Sequence, residues 1–597
     1  MDLSAQSEKK WLLRQMPAGI TDEQVIKIAR DLGLPEAIVR ILVFRGICTK
    51  EHIKDFMVPS LQQLPRPFLM KGMSDAVAIL QEAIHVQKPI TVFGDFDADG
   101  VTSTAVLSLF LTELGVPYQT YIPDRLSEGY GLNSSAIKKI HAANMQQWGK
   151  AGILLTVDCG ISDAEVVGEA RSLGFKIIIT DHHKPPEKLP EADAILNPLQ
   201  TGCDFPCKYL AGVGVAFYLI MGLRSALIND CHWPQQSIPN LKIYMDLVAI
   251  GTVADQVPVT GCNRIIVKAG LEIMNQSGRV GLQKLLDTAT TSNGGGVTVE
   301  DIVYRIAPRI NAAGRIASAH MAVKLITTNL PVEAQQFAEQ LEKANNDRKN
   351  IEAGIFAEAV QMASAENLET VSSLVLYKKD WHQGVLGIVA SRLSDQFYRP
   401  VILLTDCLQE DNEESQRLVK GSGRSIEGVD IHAAVSSCQG MLLRFGGHTG
   451  AVGLTLPAEN IEPFRQQIDT VIGVQKEKYA ITPSLLIDME MTLDALYDNA
   501  FLTAYAALSP FGSGNPEPVF RMTRQKLTKP RLVGGNHLRF TLMENGRTIN
   551  GIGFAFGNRV DISQNTLMDL AFTLRLNSYM GQQKWELNLT DLHPSIP

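Results

Sequence analysis

The pattern of apolar and polar positions changes character several times along the chain. Over residues 1–75 it predicts short helices. Ala37 to Arg45 is an apolar stretch of helical period, and Pro59, Pro65 and Pro67 break the chain beyond it. No residues in this segment suggest chemistry. From about residue 76, short β-rich runs alternate with helical stretches. The runs are Pro89–Phe93, Tyr118–Ile122, Ile153–Val157 and Lys176–Thr180, with a helix expected over Thr102–Leu114 and ended by Gly115. Such a βαβ rhythm predicts parallel strands buried on both faces. Pro331 to Ser364 reads as one long polar helix in which Phe337, Leu341, Ala344, Ile351 and Ile355 form a single apolar stripe. Helices of this kind often bridge two domains.

A second α/β unit begins near residue 371. Its strands are Ser373–Tyr377 and Val401–Thr405, with the helical stretch Val385–Phe397 between them. The polar run Gln409–Gln416 reads as a surface loop. Beyond about 480 the helical rhythm mostly fades. His537–Leu542, Thr548–Ile552 and Trp585–Leu589 read as strands joined by turns such as Gly534-Gly535 and Asn545-Gly546, which predicts a small β-barrel. The expected fold class is α/β: two α/β domains joined by a long helix, plus the barrel. The boundaries read as 1–75 for a helical segment, 76–330 for the first α/β domain, 331–365 for the connecting helix, 366–478 for the second domain and 479–597 for the barrel. There is no internal repeat.

Composition narrows this picture only slightly. The 597 residues are 45% hydrophobic and 20% charged, as in a globular protein rather than a disordered or fibrous one. No stretch reads as the roughly 18 consecutive apolar residues that span a bilayer, and the N-terminus lacks the apolar core of a secretory signal. Eight scattered cysteines are too few for a disulfide scaffold, so a reducing, cytoplasmic interior is expected. Cys203, Cys207, Cys231 and His232 have loose zinc-like spacing, but no paired knuckle completes it, and plain cysteines are the better reading. The net charge of −8 argues mildly against binding nucleic acid through bulk positive charge.

Four segments carry candidate chemistry: Gly94-Asp-Phe-Asp-Ala-Asp-Gly100, Val157-Asp-Cys-Gly160, Thr180-Asp-His-His183 and Gly251-Thr-Val-Ala-Asp-Gln256. Three of them place carboxylates just after predicted parallel strands, where open α/β sheets bind ligands. Like charges packed at a strand end are costly unless a cation offsets them. A continuing strand would send Asp95, Asp97 and Asp99 to one face. With Asp158, His182 and Asp255 they supply oxygens and one imidazole for two divalent ions, Mn²⁺ or Mg²⁺ rather than structural zinc. Asp158 is suited to bridge them. Two ions roughly 3.5–4 Å apart suit in-line displacement at phosphorus.

The ordered set resembles the DHH phosphoesterase superfamily, through Asp181-His182-His183 and the upstream Gly94–Gly100 segment. Ala307–Arg315, Trp381–Arg392, Gly421–Ser425 and Phe445–His448 resemble its RecJ branch, from about residue 76 to the end. Where some branches carry a His four residues before the middle Asp of the first motif, this chain has Phe93. The resemblance implies a DHH domain, a DHH-associated domain and an OB-type barrel. It further implies a two-metal, single-strand-specific 5′→3′ DNA exonuclease of recombination and repair that releases 5′-mononucleotides.

By the same resemblance, Asp97, Asp99, Asp158, His182 and Asp255 hold metal, and Asp95 substitutes as the ligand where other branches carry that His. Asp181 orients the histidines, and His183 contacts the scissile phosphate as a catalytic residue beside Asp158. Arg125, Tyr130, Arg309, Asn311, Arg315, His382, Ser422, Arg424, Gly447 and His448 bind the strand. Gly421, Gly423, Gly446 and Gly447 read as loops that let backbone amides approach phosphate. Single-stranded DNA is the implied partner, with a single-strand-binding protein and a helicase implied by the family alone; the chain is expected to be a monomer away from membranes. The alternatives are a DHH phosphodiesterase of oligoribonucleotides or cyclic dinucleotides, and an inactive scaffold relative. Residues 481–597 carry ten Lys/Arg and ten Asp/Glu, so any basic groove on the barrel must come from arrangement.

Overall fold

The computed structural model describes residues 9–125, 128–129, 131–230, 239–276, 278–289, 296–368, 370–407, 417–479, 483–579 and 582–595. The chain divides into two compact units, one of Met1–Trp11 with Lys343–Leu485, the other of Leu12–Glu342 with Leu486–Pro597. The division falls inside the helix Pro331–Ala365. Gln409–Gln416, Cys231 and His232 lie outside the described residues.

The chain opens with a short strand, β1 (Lys10–Leu13), and three helices, α1 (Asp22–Leu32), α2 (Glu36–Phe44) and α3 (Lys50–Met57). After α4 (Met73–His85) comes a five-stranded parallel sheet: β2 (Ile90–Gly94), β3 (Tyr118–Tyr121), β4 (Ile153–Val157), β5 (Lys176–Thr180) and β6 (Ala194–Leu196). The order is β3-β2-β4-β5-β6. Every residue of β2 and β4 is buried, as the near-continuous apolar runs predict for a sheet covered on both sides. Helices α5 (Ala98–Glu113), α8 (Gly212–Asn229), α9 (Met245–Ala254) and α10 (Gly261–Gln276) belong to one core; α6 (Ser134–Trp148) and α7 (Ala164–Ser172) form the other with β4 and β5. Helix α8 is long and apolar enough on average to cross a bilayer, although Arg224 interrupts its apolar run, and 67% of it is buried inside this core. A helix that is apolar all round belongs in an interior.

The last part of the larger unit is a seven-stranded sheet. Its strands are β13 (Met489–Glu490), after the short β12 (Ser484–Ile487), then β14 (Phe520–Gln525), β15 (Thr528–Val533), β16 (His537–Glu544), β17 (Arg547–Gly553), β18 (Met568–Tyr579) and β19 (Gln582–Pro594). The order is β13-β14-β18-β19-β17-β16-β15. Its core is not its own. Val25, Ile38, Ile41, Leu42 and Ile53 from α1–α3 pack in one cluster with Phe501, Tyr505, Phe520, Phe540 and Phe572. The N-terminal helices, read from sequence as a separate segment, complete the core of the C-terminal barrel. Arg264 of α10 fastens this assembly to the parallel-sheet domain. It is 1% exposed. Its guanidinium donates to the carbonyls of Phe56, Ala507, Leu508, Ser509 and Pro510 at 2.8–3.3 Å.

The structure also joins Cys207 and Cys262 in a disulfide, with Cα atoms 6.2 Å apart. Sequence spacing had pointed to plain cysteines. The two lie 55 residues apart, and only the packing of α10 against the loop before α8 brings them together.

In the smaller unit, β7 (Leu374–Tyr377), β8 (Val401–Asp406), β9 (Leu418–Arg424), β10 (Arg444–His448) and β11 (Ala451–Pro457) form a sheet in the order β10-β11-β9-β8-β7. Only β7 and β8 are parallel. The glycine segments Gly421–Arg424 and Phe445–His448 were expected as loops; they are strand residues. Gly421 and Gly423 are glycine because a Cβ would lie 2.5 Å from Leu404 and 2.7 Å from Val452 in the core.

Candidate metal centre

Strand β2 connects to β3 on one side and neighbours β4 on the other, so the crevice of the sheet opens at the carboxyl ends of β2 and β4. Asp95 follows β2, Asp158 follows β4 and Asp181 follows β5. The chain does not continue as a strand past Gly94, so Asp95, Asp97 and Asp99 do not converge by alternation. Asp97 instead caps α5, its Oδ1 accepting from the amides of Asp99 (2.9 Å) and Gly100 (3.1 Å). The turn is close enough that a Cβ on Gly100 would lie 2.4 Å from the Asp95 carbonyl oxygen.

Asp99 stands in the first turn of α5. Its oxygens accept from the first amides of α8, Gly212 (2.6 Å) and Val213 (2.8 Å), a site that favours an anion. Gly212 also lies against Asp158, where a Cβ would stand 2.6 Å from that residue's own Cβ. Asp158 holds the left-handed conformation, φ 60°, uncommon for a side-chain-bearing residue and frequent at functional sites.

His182 completes the cluster. Its Nε2 lies 3.1 Å from Asp158, 3.6 Å from Asp255 and 3.8 Å from Asp99. Nε2 thus faces three carboxylates at once. Asp181 is 1% exposed and already engaged. Its Oδ1 accepts from the amides of His182 (2.7 Å) and His183 (3.0 Å) and meets His183 Nδ1 at 2.7 Å, while Oδ2 accepts from Ile161 (3.0 Å).

The electrostatics follow from burial. Asp95 is pushed well above the carboxylate range by burial and the charge of Asp97, and Asp158 by burial and the charge of Asp99. Burial and neighbouring carboxylates raise Asp99 to about 7 and Asp255 to about 8. Burial and the charge of His183 hold His182 down to about 4. Burial also opposes a charge on His183, but the Asp181 carboxylate outweighs it and raises His183 to about 9.

These residues fit cations. Asp95 Oδ1 and Asp158 Oδ1 are buried with no hydrogen-bond partner among the described residues. Buried polar atoms without partners are rare and need a cause. Three overlapping sets each bring their ligand atoms within 4.8 Å of one another: Asp95, Asp97 and Asp158; Asp99, His182 and Asp255; Asp158, His182 and His183. Carboxylate oxygens with one imidazole nitrogen suit Mn²⁺ or Mg²⁺.

The other expected site residues are distributed as follows. Arg125 stacks on Phe96, 4.9 Å from the ring centroid, within the influence of Asp95 and Asp97. Asn311 Oδ1 accepts from the Ala98 amide at 2.7 Å, at the start of α5. Arg309 was expected to bind phosphate, but it is 5% exposed and donates to Glu342 and to the Arg305 carbonyl. Arg315 is partly buried on the same helix, Ala307–Ile316. Tyr130 lies outside the described residues.

In the smaller unit, His382 Nδ1 caps a helical turn by accepting from the Gly384 amide. A Cβ on Gly387 would stand 2.9 Å from Arg424 and 3.0 Å from Ser422, so a helix start closely approaches both. Across the sheet Ser422 pairs with Gly453 and Gly453 with Gly446; Arg424 pairs with Ala451 and Ala451 with His448. Gly447, with φ 144°, leaves no room for a side chain against the Ala451 carbonyl. Lys420 and Arg444 flank the same open glycine strip through Thr455, and sequence reasoning missed them. The period-two spacing Lys420, Ser422, Arg424 was the available signal. The Gly212 and Val213 amides were also missed, since main-chain groups leave no mark in side-chain chemistry.

A parallel sheet with aspartates at adjacent strand ends and an Asp-His-His segment beside them defines a metal-dependent phosphoesterase of the DHH class. Residues 89–252 match the DHH family, N-terminal domain; residues 370–473 match the DHHA1 domain and 487–591 the RecJ OB domain. The chain is 35% identical over 584 residues to the single-stranded-DNA-specific exonuclease RecJ of Dickeya dadantii (strain 3937), covering 94% of this chain and 96% of the relative. It is 33% identical over 572 residues to that of Bacillus subtilis (strain 168), covering 95% and 69%. The crystal structure of RecJ in complex with Mn²⁺ from Thermus thermophilus superimposes with a TM-score of 0.79 at 28% identity, covering 98% of this chain and 80% of that one. A structure of the same protein is described in complex with Mg²⁺. The chain belongs to the RecJ family.

Proposed function

We propose that the strand-end cluster holds two divalent cations, Mn²⁺ or Mg²⁺, and that the chain hydrolyses single-stranded DNA from its 5′ end, releasing 5′-mononucleotides. The observation that carries this reading is the cluster itself: three ligand sets linked through Asp158 and His182, with the Oδ1 atoms of Asp95 and Asp158 buried and without a hydrogen-bond partner among the described residues. Asp95, Asp97, Asp99, Asp158, His182 and Asp255 are the assigned ligands, with Asp158 between the two sites. Cations there would activate water and offset charge on the phosphate and the leaving 3′ oxygen.

The chain's own residues do the rest. Asp181 fixes His183 as a charged imidazolium, and His183 steadies the charge that develops on the scissile phosphate. Asn311 steadies the turn that carries Asp95 and Asp97. Arg125, Tyr130, Arg315, His382, Ser422, Arg424, Gly447 and His448 bind the nucleotide chain, and the DHHA1 residues among them take its 5′ end. Lys420 and Arg444 extend that basic strip. The barrel supplies stacking surfaces for an unpaired strand. A cytoplasmic place, and a single-strand-binding protein and a helicase as partners, accompany this reading.

The test uses single-stranded DNA labelled at its 3′ end, with Mn²⁺ and then with EDTA. A shrinking ladder is expected only with metal, absent on blunt duplex and blocked by a capped 5′ end. Turnover of short RNA or a cyclic dinucleotide without cleavage of DNA would overturn the reading.

A further inference from the structure

The disulfide Cys207–Cys262 sits where three parts of the larger unit meet. Both cysteines line a cavity of about 580 Å³ together with Phe56 of the N-terminal helices, Arg264 of α10 and Asn515 of the barrel domain. Cys207 is partly exposed and Cys262 is buried. The segment that follows Cys207 is the wall of the metal centre. Asn263, next to Cys262, donates to the Tyr209 carbonyl at 2.6 Å. A few residues on, the amides of Gly212 and Val213 hold Asp99. On the other side, two residues beyond Cys262, Arg264 gathers the barrel's carbonyls. A bond between the two sulfurs therefore ties the metal-centre wall covalently to the helix that anchors the barrel.

We propose that Cys207 and Cys262 form a reversible dithiol–disulfide pair, and that closing it holds the 207–213 wall in the geometry seen here, tightening Mn²⁺ binding and speeding cleavage. The oxidant is a peroxide. The more exposed Cys207 thiolate attacks one peroxide oxygen, giving a sulfenic acid and one water; the Cys262 thiol then displaces the second oxygen as water and forms the S–S bond. Two thiols and one hydrogen peroxide yield one disulfide and two waters. Reduction returns two electrons and two protons from a small dithiol through a mixed disulfide. In a reducing compartment the pair rests open, and an oxidative challenge closes it. The effect on cleavage rests on the nuclease reading; the effect on Mn²⁺ binding does not.

The experiment compares full-length protein reduced with a phosphine, which is then removed, against protein treated with hydrogen peroxide. Three readouts are taken: peptide mapping under non-reducing conditions, Mn²⁺ affinity by calorimetry, and cleavage of 3′-labelled single-stranded DNA. The expected result is a linked Cys207–Cys262 peptide, with Mn²⁺ affinity and cleavage each several-fold higher than in the reduced protein, since small displacements of positioning groups have large effects on rate. Cys207→Ser and Cys262→Ser should match the reduced protein under both treatments, while Cys203→Ser keeps the response. Absence of the linked peptide, a linked peptide with unchanged Mn²⁺ affinity, or a response that survives in Cys207→Ser would each overturn the proposal. If neither state cleaves DNA but Mn²⁺ affinity still follows the redox state, the nuclease reading fails and the pair stands.

Discussion

Arg264 buries one positive charge and surrounds it with five carbonyl oxygens, whereas the strand ends bury Asp95, Asp99 and Asp158 and leave two carboxylate oxygens without a donor among the described residues. Both sites bear the desolvation cost of charge. At Arg264 the protein itself offsets it, so the charge serves as a joint. At the strand ends the carboxylates face one another, and burial drives their proton affinity up. A buried charge with a full set of protein partners is architecture; a buried set of like charges is a site for something the chain does not contain.

The contrast is broken most sharply at Asp158. Asp158→Ala should reduce DNA cleavage by at least about 10³-fold while leaving single-strand binding measurable, because it removes the residue common to two ligand sets. Gel-based cleavage alongside a binding titration reads both, and retained cleavage would place the chemistry elsewhere. Arg264→Met should act on the opposite property. It leaves the carbonyls of Phe56, Ala507 and Ser509 without this donor, while Leu508 and Pro510 keep Asn515, and should cost about 3–5 kcal/mol of stability, at roughly 1–3 kcal/mol for each buried acceptor left unsatisfied. Urea unfolding followed by barrel fluorescence would report this. Unchanged stability would mean that the joint is held by apolar packing alone, while Mn²⁺ affinity of the folded variant should not change.

The smallest effect is on pH dependence. Asp99, raised to about 7, and Asp255, raised to about 8, carry protons below those values in the metal-free protein. Mn²⁺ must displace those protons, so its affinity should strengthen as pH rises through that window, with proton release measurable by calorimetry in buffers of different ionisation heat. The sign for stability is the reverse. Carboxylates whose folded values lie above their unfolded ones favour the metal-free fold at low pH, and that contribution is lost as pH rises through about 7 and 8. A flat Mn²⁺ profile would remove the electrostatic half of the contrast.

Much of the catalytic half was legible. The βαβ rhythm placed β2, β4 and β5 to within a residue or two, and the position of aspartates after those strands pointed to the crevice. The rule that ligands bind at strand ends depends on topology, which apolar runs and helix signals reveal. Arg309 shows where this reasoning stops. Its neighbours in sequence made a basic stretch, but its partner Glu342 lies 33 residues away, a contact that no local pattern reveals. The glycines of β9 and β10 misled for a related reason. Glycine frees the backbone for turns, but it also fits where a strand has no room for a Cβ, and only packing distinguishes the two.

The residue types and spacing, without any coordinates, determined the α/β class, the long helix, the parallel strands and the six candidate ligands, because periodicity and local strand-end chemistry are written within a few residues of each other. Tertiary structure alone decided that α8 holds Asp99 with its main chain. It also decided that the N-terminal helices finish the barrel's core and that Cys207 meets Cys262. Those features join segments tens to hundreds of residues apart, often through backbone amides and carbonyls that every residue shares. Which of them come together is set by burying apolar surface from the whole chain at once, and no local pattern carries that information.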